Sequence, residues 1–102
     1  MGRRLYLHEE LCEILESRNA YFQPPSSVSM NYPCIRYSLD EPAQTYANDK
    51  NYTNTNRYDG VVIDRDPESD IPGKLLAHFS MCRLGKPYVA NNLNHFPFTI
   101  YY

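Results

Sequence analysis

The sequence predicts an α+β domain: a small mixed, largely antiparallel sheet with two helices packed on it, in the order α-β-β-β-α-β-β. Three observations carry that reading. Apolar residues recur at helical spacing near the start, a β-prone run occupies the middle, and apolar alternation closes the chain. The chain has 102 residues, 42% hydrophobic and 22% charged, which is material for one modest core and so for a single domain over 1–102.

The first helix is predicted over Leu7–Arg18. Leu7, Leu11, Ile14 and Leu15 fall within an arc of about 100° at 3.6 residues per turn. Glu9, Glu10, Glu13 and Glu16 lie off that arc, and Asn19 is a plausible stop. A short strand follows at Tyr21-Phe22-Gln23, ended by Pro24-Pro25-Ser26-Ser27. Tyr32 to Tyr37 is the next strand, with Pro33 tolerated near its start. Asp40 to Asn51 is a polar loop of about a dozen residues, longer than a hairpin needs and expected to serve a contact.

Tyr58-Asp59-Gly60-Val61-Val62-Ile63 reads as the central strand. Consecutive Val61, Val62 and Ile63 suggest cover on both faces. Asp64 to Ser69 stops it, with Asp66 or Ser69 as N-cap and Pro67 at the first helical position. A short helix over Asp70–Phe79 tolerates Pro72 in its first turn and is expected to set Ile71, Leu75, Leu76 and Phe79 on the sheet. Met81–Leu84 and Tyr88–Ala90 are strand segments broken by Gly85-Lys86-Pro87. Asn91-Asn92-Leu93-Asn94 has turn chemistry, since Asn tolerates left-handed backbone. In His95–Tyr102, Phe96, Phe98, Ile100 and Tyr102 alternate with other residues at period two.

A net charge of −2 speaks against sequence-specific nucleic-acid binding, which calls for a basic patch. No run reaches the roughly 20 apolar residues of a membrane span, and the start of the chain lacks signal-peptide character. Three cysteines, an odd count, are expected as free thiols in a protein made in a reducing cytoplasm.

Catalytic and metal chemistry has few footholds. His8, Cys12, Cys34, His78, Cys82 and His95 could together offer zinc ligands, but no C-x-x-C or H-x-x-x-H pair gathers them. Cys34 with His95 could form a nucleophile and base, without any local signature to support it. Asp64, Asp66, Glu68 and Asp70 lack EF-hand spacing and suit helix capping better. The expectation is a non-enzymatic protein with no cofactor and no metal. Ten tyrosines and the long loop point to a binding or assembly module. A small metalloenzyme or thiol hydrolase is the alternative from another class.

Five segments carry a resemblance: Tyr32-Pro33-Cys34-Ile35, Tyr46-Ala47-Asn48, Arg57-Tyr58, Val62-Ile63-Asp64-Arg65-Asp66-Pro67 and Asn92-Leu93-Asn94-His95. Over roughly residues 5 to 102 the chain resembles small proteins from the structural-gene clusters of long-tailed bacteriophages. Its element order is similar to that of tail terminators, also called tail completion or tail-to-head joining proteins. The resemblance implies a structural virion protein, made in the host cytoplasm and resident in the tail or neck. It implies a hexameric ring that caps the tail tube, with the tail tube protein and the head connector or stopper as partners. Another neck or tail-tube component is the nearer alternative. Connector adaptors are mostly helical and head-completion stoppers are β-barrels, so neither suits this element order as well. Tyr46, Asp49, Lys50 and Tyr52 of the loop, with Tyr37, Phe98 and Tyr101 of the strands, are the expected contacts between subunits or rings. The strands around Tyr32–Tyr37 and Phe96–Tyr102 are the expected patches.

Overall fold

The computed structural model describes residues 3–25, 29–41 and 56–102. Its elements are α1 (Arg3–Leu15), β1 (Ala20–Phe22), β2 (Cys34–Glu41), β3 (Arg57–Asp64), α2 (Ile71–His78), β4 (Cys82–Leu84), β5 (Tyr88–Ala90) and β6 (Leu93–Tyr101). They build one mixed sheet in the order β1-β2-β3-β6-β4, with β5 also on β6. Only β1 on β2 is parallel; the other pairings are antiparallel. The fold class and element order are those read from the sequence, with the strand broken at Gly85–Pro87 counted here as β4 and β5.

The register sorts the side chains into two faces, because alternate residues of a strand point opposite ways. Ile35, Val62 and Phe96 share one row, and Tyr37, Gly60 and Phe98 the next. This face carries the core: Leu7 and Leu11 of α1 and Ile71 and Leu75 of α2 cluster with Ile35, Tyr37, Val62, Phe98 and Ile100. Burying one such Leu side chain contributes about 1.5–3 kcal/mol. Gly60 is required in its row. A Cβ there would lie 2.5 Å from the Phe98 ring and 2.9 Å from the Arg36 carbonyl oxygen.

The opposite face shows Arg36, Ser38, Asp59, Val61, Pro97 and Thr99, and neither helix packs on it. Cover on both faces of the central strand therefore holds only at its end. Val61 is only half-buried, whereas Ile63 and its cross-strand partner Cys34 are buried near the strand end.

Helix α1 starts and stops earlier than its apolar arc suggested. Glu16 takes a left-handed φ of 57°. Ser17 N–H then reaches the Cys12 carbonyl and Glu16 N–H the Glu13 carbonyl. That pair of bonds is a Schellman stop, made with Glu instead of Gly, so Asn19 is not the terminator. Helix α2 has Asp70 at its N-cap with no side-chain capping bond and Pro72 in the first turn. Pro67 lies in the preceding turn, where Asp64 and Asp66 accept the N–H groups of Asp66 and Glu68. Leu76, expected on the sheet, is 50% exposed, because Ile71, Leu75 and Phe79 fill the buried stripe.

Strands β4 and β5 lie along the same side of β6. Leu84 pairs with Phe98 and Tyr88 with His95, so four steps on the edge oppose three on β6. The extra residue makes a bulge at Gly85–Pro87. Pro97 explains its position: its carbonyl accepts Gly85 N–H at 2.9 Å, but it has no N–H to return. Asn91 and Asn92, with φ of 53° and 63°, turn β5 into β6 as a two-residue hairpin of the type I′ kind. No helix among the described residues is long and apolar enough to cross a membrane.

Candidate functional site

Three of the five resemblance segments converge at one end of the sheet. Cys34 opens β2, Ile63 and Asp64 close β3, and Asn94 and His95 open β6, all in adjacent register. Asn94 Nδ2 donates to the carbonyls of Asp64 and Arg65, at 3.4 and 3.2 Å. The Arg65 guanidinium lies 5.9 Å from the Tyr32 ring centre, beside a cis Tyr32–Pro33 peptide. These contacts fix a corner of the fold. They hold backbone and pack side chains, with no group aimed at a ligand.

The same corner separates the thiol and base considered above. Cys34 and His95 pair with Ile63 from its two sides, so two strand spacings of about 4.8 Å lie between them. Burial pushes the Cys34 thiol up to about 11, far from a thiolate at neutral pH. The His95 ring stacks on Tyr88, with centres 4.8 Å apart, and its Nδ1 donates to the Leu93 carbonyl at 3.0 Å. His8 and His78 also have their own partners, Tyr37 and Glu10. Among the described residues, no group of three or more His, Cys, Asp or Glu side chains gathers where it could hold a metal ion.

The expected contact residues divide. Tyr37 and Phe98 are 2% and 3% exposed, under the helices, so neither side chain is offered to a partner. Tyr101 is half-buried and borders a hollow with Met81, Cys82 and Arg83. Tyr46, Asp49, Lys50 and Tyr52 lie outside the described residues. The two strands expected as patches are β2 and β6, and both are internal: β2 runs between β1 and β3, and β6 between β3 and the β4–β5 edge. Strand β6 is therefore paired along both sides, and β2 over Ile35–Tyr37.

What the sequence reading missed is the surface made instead. The sheet face that neither helix covers holds a hollow of about 470 Å³ lined by Arg36, Ser38, Asp59, Val61, Tyr88 and Pro97. A second, of about 440 Å³, adds Arg57, Arg83 and Thr99. Asp59 organises the floor, accepting from Thr99 Oγ1 at 2.8 Å and lying 3.5 Å from Arg57 Nε, which is also 3.2 Å from Asp40. The signal was present in β2, where Arg36, Ser38 and Asp40 alternate with Ile35, Tyr37 and Leu39. The sheet's two outer strands, β1 and β4–β5, complete the accessible surface. No family model, no curated protein and no solved structure matches this chain.

Proposed function

We propose that this chain is a structural virion protein, a tail terminator whose hexameric ring caps the tail tube and joins it to the head connector. One observation carries the reading beside the sequence resemblance. The sheet ends in two unlike edges, a three-residue parallel strand β1 and the bulged antiparallel β4–β5 edge, and neither has a further strand partner among the described residues. A ring requires head-to-tail contacts between two different patches of one subunit, and unlike edges at opposite ends of a sheet supply them. The polar sheet face without a helix on it supplies a third surface for the neighbouring layer. On this reading the tail tube protein and the connector are the partners, and the chain acts without catalysis.

The test is assembly in the absence of this chain. Particles made without it should contain filled heads and separate tails of uncontrolled length, and adding the purified protein should restore joining. Normal tails joined to heads without it would remove the proposal. Stoichiometric zinc in the purified protein would favour the small metalloenzyme of the other class.

A further inference from the structure

Two exposed surfaces lie at opposite ends of the sheet and match each other in character. Helix α1 packs on β1 and β2, whereas α2 packs on β4. The outer stripe of α1 shows Leu5, Tyr6, Glu9 and Glu13, all exposed and all within about 100° of arc, and exposed Glu16 follows at the helix stop. Leu5 is 39% and Tyr6 56% exposed, two adjacent apolar side chains off the helix's core face. Glu13 has no ion-pair partner among the described residues, and Glu9 and Glu16 make only exposed pairs with Arg18 and Lys74.

The β4–β5 edge is the opposite kind of surface. Met81, Leu84 and Val89 are 51%, 42% and 68% exposed. Arg83 and Lys86 stand among them, and no ion pair holds either one among the described residues. With Glu9 held by Arg18 and Glu16 by Lys74, the first surface is apolar with Glu13 as its unpaired charge, and the second is apolar with Arg83 and Lys86 unpaired among the described residues. Neither is self-complementary, since each would meet its own charge across a two-fold axis.

We infer that the β4–β5 edge of one copy receives the outer stripe of α1 from the next copy, head to tail. The apolar side chains form the centre of the contact, and Glu13 and its neighbours face Arg83 and Lys86 at the rim. This rests on the ring reading above and keeps its β4–β5 edge, with α1, which packs on β1, as the other half-site.

The experiment uses Tyr6→Ala and Val89→Glu, both at exposed positions, with circular dichroism confirming that each variant is folded. Mass is read by light scattering over a range of concentration and salt. The wild-type chain should form closed oligomers that weaken as salt rises. Each variant alone should weaken association at least tenfold. Mixed together, the two variants should give a 1:1 dimer and nothing larger, because each retains one intact half-site. Wild-type oligomers insensitive to both substitutions would overturn the assignment while leaving the ring intact. A mixture that stays monomeric, or a single variant that forms a stable dimer, would overturn it as well. A wild-type chain that is monomeric throughout would overturn both the assignment and the ring.

Discussion

Glu10 on α1 and His78 on α2 meet at 2.8 Å although 68 positions separate them in the chain. Tyr102 donates its hydroxyl to the other Glu10 oxygen. One carboxylate therefore ties both helices to the last residue. Partial burial works against the charge on Glu10, but the hydrogen bonds from Tyr102 and His78 outweigh it, and its pKa is lowered from 4.5. Glu10→Ala should lower stability by about 1 kcal/mol, since both ionic partners keep some solvent exposure. Denaturant titration with an unchanged slope is the readout. Tyr102→Phe should cost less, because His78 still reaches the carboxylate.

Gly60 and Phe98 give a sharper prediction. Phe98 lies across the one position of its row without a side chain, 2.5 Å from where a Cβ would be. The Arg36 carbonyl on the other side blocks relief by a backbone shift. Gly60→Ala should destabilise the domain by about 1–3 kcal/mol, the cost of overpacking, although Ala is otherwise the better residue in a strand. Coupling it with Phe98→Leu should recover part of the loss in a double-mutant cycle.

Removing residues 98–102 deletes Phe98 and Ile100 from the core and strips β6 from between β3 and β4. The truncated chain should fail to fold, detected as loss of cooperative unfolding. A folded truncated chain that had lost only its self-association would place β6 outside the core.

Acid should weaken the fold in two stages. His8 shares a 2.7 Å hydrogen bond with Tyr37. Burial first, then the charges of Arg18 and Arg4, lower its pKa from 6.5. The unfolded chain therefore takes up a proton that the fold resists, and stability falls as pH drops below about 6.5. Glu10 adds a second decline below 4.5, where its carboxylate begins to protonate in the unfolded chain. His8→Gln should flatten the first stage and leave the second, measured by denaturant midpoints between about pH 7.5 and pH 4.

The fold was legible where local pattern and tertiary need agreed. The Asn91-Asn92 turn, the alternation of Phe96, Phe98 and Ile100, and the Leu7–Leu11 stripe all announced their roles. The Glu16 stop was hidden because a left-handed residue without Gly or Asn leaves no local mark. Sheet order was hidden for another reason. Nothing local to Phe96–Tyr102 says that β4 and β5 both lie on its outer side. Tyr37 and Phe98 have interface composition but core positions, and the exposed apolar residues of the edge, Leu84 and Val89, looked like ordinary strand.

The most direct measurement is a reconstruction of the assembled phage particle with this chain traced in density. The account predicts one closed ring of this chain at the head-proximal end of the tail tube, with β4–β5 of each copy against α1 of the next. Finding the chain elsewhere in the particle, in an open or unrelated arrangement, or not in the particle at all, would contradict it.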